Sequence, residues 1–464
     1  MTRPIALLST LVALACAAPA SAATSQITFF EAPTALQDAS TRGQTLDEIK
    51  ALGSDGIRVL VNWNRLAPDP TSSERPAIVA SDPAAYGDRW APYDAIVDGA
   101  RSRGLKVLLT LTGGAPHWAT ASGKDAITKP DRDEFQAFVT AVGSRYADRV
   151  DTWSIWNEPN QPQFLAPQFV GGKPYSPRLY RRLYLAAKRG LKASGNADDT
   201  VLAAETSPRG NPRIVAPLAF LRGFLCLDSK YRKASTCGKI DADGWAHHPY
   251  TTSRGPYFRS SKKDDVTIGT LSRLTRALDR AARAGAIRKS MPLYLTEFGI
   301  QSYPDRISGV PLSTQADYRA ISELIAYKNR RVKAFSQYLM NDSDPEPKGG
   351  SKYSGFESGL RTFAGKKKPA YEGFRLPLTI DRYARGKVRI WGLVRPADAR
   401  TKVTILYANR GSSKWRTLTR LSTDSRGYFS NRRRAISTRR YRVEWTDGSG
   451  TTYRGPVTKT RRLP

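Results

Sequence analysis

From Gln26 to about Phe374 the chain alternates short, nearly continuous apolar runs with stretches whose apolar residues recur every three or four positions. The runs are too short for helices and rich in β-branched residues, and the longer stretches have the helical period, so the pattern predicts repeated βα units. Strands are predicted over residues 27–30, 57–63, 106–112, 152–156, 201–205, 244–250, 293–298 and 332–339. The clearest helices between them are predicted over 45–52, 93–103, 131–146, 176–194, 271–284 and 314–329, with a weaker one over 217–227. Eight strands with intervening helices fit an α/β fold closed as a (β/α)8 TIM barrel better than an open doubly wound sheet. No glycine-rich phosphate turn follows the first strand, which argues further against a dinucleotide fold. After Pro377 the period falls to two, with turn residues between runs at 388–394, 402–408, 415–420, 427–431, 441–445 and 451–453. That part is predicted to be a C-terminal all-β sandwich domain.

The first residues change the picture of where the protein works. Arg3 precedes an apolar run from Ile5 to Ala18, and Ala20-Ser21-Ala22 offers small residues for cleavage, so residues 1–22 are expected to be a signal peptide. The division expected is therefore a signal over 1–22, the barrel over 23–376 and the β-sandwich over 377–464. A lipoprotein acylated at Cys16 is the alternative. No other stretch approaches the roughly 20 apolar residues of a membrane span. The exported chain then keeps Cys226 and Cys237, which in an oxidising compartment are expected to form a disulfide, with two buried thiols as the alternative. Two cysteines without further ligands nearby make no zinc site.

Composition adds a partner class. Of 464 residues, 40% are hydrophobic and 25% charged, which excludes a disordered chain, and 74 Lys and Arg against 41 Asp and Glu give a net charge of +33. Residues 377–464 hold 22 basic and 5 acidic residues, a surplus of 17 positive charges in about a fifth of the chain. The expected partners of that domain are anionic envelope or matrix polymers. A nucleic-acid partner is disfavoured by the secretory signal and by the lack of a recognised reading element.

Barrel enzymes carry their chemistry at the C-terminal ends of the strands. The fourth strand closes on Trp156-Asn157-Glu158-Pro159 and the seventh on Thr296-Glu297-Phe298-Gly299. Two carboxyl groups facing each other across the barrel mouth are what glycosidic cleavage demands, one to protonate the leaving oxygen and one to attack the anomeric carbon. All 3 histidines, His117, His247 and His248, follow the third strand or end the sixth. Adjacent histidines on a strand point to opposite faces, so metal binding is the weaker use for them. Arg58 on the second strand can hold a carboxylate ionised. Trp63, Trp118, Trp156, Trp245, Phe298 and Tyr303 lie near the same rim, where aromatic faces pack on sugar C–H faces, although core packing is the commoner use of any one of them.

Taken in order, Trp156-Asn157-Glu158-Pro159, His248-Pro249-Tyr250 and Thr296-Glu297-Phe298-Gly299 resemble the clan A glycoside hydrolases, especially the cellulase-like family 5 and the family 39 group. The resemblance covers roughly residues 26–374. It implies a retaining glycosidase with Glu158 as acid/base, Glu297 as nucleophile and Asn157 on the sugar 2-hydroxyl. It also implies that Arg58 and Tyr250 orient the nucleophile and that His248 lines the subsite; His117 matches loosely. The eighth strand departs from the pattern, for 335–341 contains no Trp where these families place one. The expectation is a secreted enzyme acting on a β-linked polysaccharide or oligosaccharide, with no metal or organic cofactor. The alternative is a non-catalytic carbohydrate-binding or wall-associated barrel.

Overall fold

A computed structural model describes residues 26–234, 236–397, 399–436 and 438–463. The expected signal segment and Cys16 lie outside them. Eight parallel strands run in order: β1 (Phe29–Glu31), β2 (Gly56–Asn62), β3 (Lys106–Thr112), β4 (Thr152–Ile155), β5 (Thr200–Thr206), β6 (Gly244–His247), β7 (Leu293–Leu295) and β8, which spans Val332–Phe335 and resumes at Gln337–Tyr338. Each pairs with the next, and β8 pairs with β7 through its first half and with β1 through its second, where Phe30 stands opposite Gln337. The sheet is therefore closed, as a TIM barrel.

The helices that follow each strand are α1 (Ala39–Ala51), α2 (Ala91–Arg101), α3 (Arg132–Tyr146), α4 (Ser176–Ala193), α5 (Pro217–Phe224), α6 (Ser272–Arg283), α7 (Leu312–Lys328) and α8 (Pro369–Arg375). Alternation along the strands sorts side chains between the helices and the barrel interior. Val107, Leu109 and Leu111 of β3 and Trp153 and Ile155 of β4 join the main core under the helices, whereas Phe29, Leu108, Leu202, Ala246 and Ala334 form a separate apolar cluster across the barrel. One step further along the strands the buried positions become polar: Arg58, Thr110, Ser154 and Glu205. An apolar plug thus lies under a polar upper layer.

Helix α1 begins six residues before the predicted 45–52, because Asp38 caps it by accepting from the Ser40 N–H while the polar first turns hide the period. Strands β6 and β7 end before the predicted 250 and 298, since the residues beyond them leave the ladder to carry polar side chains. The cysteines are joined as expected, with an S–S distance of 2.04 Å, tying the turn after α5 to the approach to β6. Closing a loop of this size is worth on the order of 3 kcal/mol.

The C-terminal part is all β: β9 (Leu378–Ala384), β10 (Lys387–Leu393), β11 (Lys402–Asn409), β12 (Arg416–Ser422), β13 (Tyr428–Arg434), β14 (Arg439–Thr446), β15 (Thr452–Arg454) and β16 (Thr458–Arg461). Their order is β12-β11-β14-β16-β9-β10-β13, with β15 added to β14. Inward residues of both halves, among them Ile380, Ile390, Ile405 and Val443, form one core. Strands β9 and β16 lie outside the predicted runs: the first follows α8 almost directly, without a turn signal, and the second is the polar run Thr-Lys-Thr-Arg. This unit abuts the strand-start end of the barrel, where Arg395 donates to Thr28 and Arg426 to the Gln26 carbonyl.

Candidate active site

The site lies at the other end, where the strands finish. Glu158 follows β4 and Glu297 follows β7; both residues are buried, with the two side chains 11% exposed. A carboxylate oxygen of each and a ring nitrogen of His248 all lie within 4.8 Å of one another. Arg58, fully buried on β2, binds the cluster together: its Nη1 donates to Glu297 Oε1 at 2.5 Å and to Glu31 Oε2 at 2.5 Å, its Nη2 to Asn157 Oδ1 at 3.0 Å and its Nε to Thr110 Oγ1 at 3.0 Å. The Tyr250 hydroxyl donates to Glu297 Oε2 at 3.1 Å. His248 Nδ1 stands 2.9 Å from Glu158 Oε1, and Gln161 Nε2 donates to the other Glu158 oxygen.

Of the residues expected from sequence, the structure brings Glu158, Glu297, Asn157, Arg58, His248 and Tyr250 into this one bonded cluster. His117 is not bonded into it. It is half-buried in the turn after β3, and among the described residues no hydrogen bond or ion pair joins its ring to either glutamate. Trp63 requires a correction. It is 1% exposed and packs between Trp118, Phe135 and Phe138, so it is a core residue with no face for a sugar. Trp118 is half-buried, its indole N–H donating to the Pro68 carbonyl and the Arg75 guanidinium lying 5.8 Å from its ring. Trp156, Trp245 and Phe298 are likewise buried in the core.

Several participants carry no signal in the sequence, Gln161 and Thr110 of the bonded cluster among them. Glu31 closes β1 and Glu205 lies next to the end of β5, the same strand-end position that singled out Glu158 and Glu297, but neither carries a motif. Phe356, in the segment after β8, packs on Tyr250 and Tyr338 with ring centroids 5.8 and 5.2 Å away and is 37% exposed. The eighth strand lacks a Trp, yet this segment sets a partly exposed aromatic ring against Tyr250, which bonds Glu297; nothing in the sequence distinguishes it from any loop Phe.

Electrostatics follow from burial and pairing. Burial by itself raises the Glu205 carboxyl, but Arg58, His248 and the Ser154 hydroxyl outweigh it and bring it down to about 2. Burial also opposes charge on His248, yet Glu297, Glu158 and Glu205 raise it to about 10, so the ring is an imidazolium at neutral pH. Glu31 goes the other way, to about 8: burial dominates, Arg58 opposes it, and the negative Glu297 on the same guanidinium adds to it. His247, turned away to Thr206 and the Val266 carbonyl, is pushed by burial to about 4 and stays neutral. Glu158, His248 and Glu297 have the mutual distances of a metal site. A metal there would have to displace the proton that His248 shares with Glu158.

Residues 20–166 match the model of the cellulase family, glycosyl hydrolase family 5. That stretch contains Arg58, His117, Asn157 and Glu158 and stops before His248, Tyr250 and Glu297. No curated protein matches the chain. Among solved structures, a β-glucuronidase of Bacteroides uniformis is similar at 10% identity and a TM-score of 0.46 over 95% of this chain, which spans only 46% of that protein's length. A family 1 β-glucosidase of Thermotoga maritima is similar at 15% identity and a TM-score of 0.47, over 73% of this chain and 86% of its own. The virulence factor SghA of Agrobacterium tumefaciens is similar at 17% identity and a TM-score of 0.42, over 69% and 80%. The resemblance first carried by the Asn157-Glu158-Pro159 element, to the clan A glycoside hydrolases and their cellulase-like family 5, is thus borne out by the family model that ends just beyond it.

Proposed function

We propose that the chain is a secreted, retaining glycoside hydrolase that cleaves O-glycosidic bonds of a β-linked glycan by double displacement, its catalytic domain over 23–376 following a signal over 1–22. The observation that carries this reading is the approach of a Glu158 and a Glu297 oxygen to within 4.8 Å at the open end of the barrel. Retaining pairs stand about 5 to 5.5 Å apart, whereas inverting pairs need roughly 6.5 to 9.5 Å to admit water.

In this reading Glu297, paired with Arg58 and aligned by the Tyr250 hydroxyl, attacks the anomeric carbon. Glu158 protonates the departing oxygen, then takes a proton from the water that releases the sugar. The Asn157 carbonyl oxygen is taken up by Arg58, which leaves the amide NH2 for a sugar hydroxyl. Phe356 offers the sugar an apolar face. The β-sandwich over 377–464 serves as a retention module for anionic envelope or matrix polymers. There Lys387 stands opposite Arg434 and Arg389 opposite Arg432, cross-strand pairs of like charge that concentrate positive charge on this sheet.

The test is turnover of a panel of aryl β-glycosides, with proton NMR of the first-formed anomer. Retained configuration is expected; inversion refutes the double displacement, and binding of glycans without turnover of any substrate favours the non-catalytic barrel. Azide should rescue Glu158→Ala to a β-glycosyl azide and Glu297→Ala to an α-glycosyl azide.

A further inference from the structure

Glu205 is fully buried, ionised and without open space of its own, so it neither attacks nor protonates anything. The backbone nonetheless departs from regular geometry to place it. The β5–β6 register shifts between Ala203 and Thr206, and Ala204 and Glu205 take φ values of 93° and 45°, a region that residues with a Cβ avoid. Bulges of this kind turn a side chain out of the alternation of its strand, and strained backbone of this kind gathers at functional sites.

What the carboxylate reaches explains the detour. One oxygen accepts from the Ser154 hydroxyl, four residues before Glu158. The other accepts from the Thr296 hydroxyl at 2.5 Å, immediately before Glu297, and from His248 Nε2 at 2.6 Å. The Glu205 carbonyl accepts from the Glu158 N–H at 3.0 Å. A plain counter-ion for Arg58 would need none of this. Arg58 already has Glu31 and Glu297 at 2.5 Å, with Glu205 farther off at 3.5 Å.

We propose that Glu205 is a positioning residue that fixes the gap between Glu158 and Glu297 through Ser154 and Thr296, and holds the His248 ring as a two-sided donor facing Glu158. This rests on the glycosidase reading above. The charged and titratable groups around the His248 ring are Glu158 and Glu205 on its two nitrogens, Glu297 at 3.5 Å, Tyr250 edge-on at 6.4 Å, and the neighbouring His247, with Arg58 and Glu31 beyond.

The experiment uses the full chain and Glu205→Gln, which keeps the shape and removes the charge. With only 3 histidines to assign, NMR of labelled imidazoles follows His248 without substrate. The wild-type ring should stay protonated through pH 5 to 8, and the variant ring should lose its proton within that range. On an aryl glycoside that the wild type turns over, kcat should fall about 10²-fold, with KM changed by only a few fold, the scale of a misplaced reacting pair. If Glu205→Gln does not fold, Thr296→Val removes one hydroxyl and no charge; its kcat should fall about tenfold with His248 still protonated. A folded Glu205→Gln with wild-type His248 titration and wild-type kcat overturns the proposal, as does Thr296→Val with wild-type kcat. The imidazole titration is read without turnover, so a failure of the glycosidase reading and a failure of this one are told apart.

Discussion

Two of the buried charge clusters in this molecule lie at opposite ends of the barrel. At the strand-start end, Glu323 of α7 lies between Arg319 and Arg395: Arg319 Nη1 donates to it at 3.0 Å, Arg395 donates to its other oxygen, and both guanidinium groups lie over the Phe374 ring. Beside them Leu324 and Tyr327 of α7 pack on Trp391 and Tyr428 of the β domain. At the strand-end mouth, Arg58 and His248 lie among Glu31, Glu158, Glu205 and Glu297. Burial is similar, and in each cluster carboxyl pairs with buried guanidinium. What differs is the remaining capacity: Glu323 is enclosed by its partners, whereas Glu158 and Glu297 are partly exposed. Buried charge alone therefore does not mark a site; buried charge that still faces open space does.

The largest expected effect separates the two ends by activity. Glu297→Ala should lose about 10⁴-fold or more in kcat while staying folded, and Glu158→Ala roughly 10²- to 10⁴-fold. Full turnover by both variants breaks the assignment. Next comes stability. Glu323→Ala leaves two buried guanidinium groups unpaired and should cost about 3 to 5 kcal/mol in denaturant unfolding, with kcat per folded molecule unchanged. A loss below about 1 kcal/mol would show that water relieves that cluster.

A smaller effect distinguishes the clusters by the sign of their pH dependence. Glu323 is held below its usual range, because Arg395 and Arg319 outweigh the effect of burial; its contribution is present above the unfolded value of 4.5 and is lost as pH falls. Glu31 is raised to about 8, chiefly by burial, so its contribution is full below 4.5 and lost as pH rises through 8; His248, raised to about 10, continues that loss from 6.5 upward. Wild-type stability measured against Glu31→Gln should therefore decline between pH 4.5 and 8, by up to about 1.4 kcal/mol per pH unit. Parallel curves would mean that Glu31 folds ionised.

The smallest effect concerns the outer surface of the β domain. Replacing Arg432, Arg433 and Arg434 by Gln should weaken binding of the full chain to polygalacturonate at 0.1 M salt, where the screening length is about 10 Å, and change little at 1 M, where it is about 3 Å. Binding that ignores salt, or that the triple variant keeps, would return the domain to a purely structural role.

The hydrophobic pattern of the chain determined the closed barrel, the all-β addition and the strand ends on which Glu158 and Glu297 sit, because apolar periodicity and strand length are local properties that burial enforces directly. The Asn157-Glu158-Pro159 and Thr296-Glu297-Phe298 motifs, and the Cys226–Cys237 pair, were legible for the same reason: residue type and spacing along the chain carry them. Only the tertiary structure decided the rest. Trp63 and Phe356 are both aromatic, and which is covered and which stays partly exposed depends on what packs over each. Glu31 and Glu205 close strands as Glu158 and Glu297 do, and their different states come from which of them share Arg58 and His248. Those partners lie on other strands, Arg58 as many as 239 residues from Glu297. A charge depends on its neighbours in space, and a sequence orders its residues only along the chain.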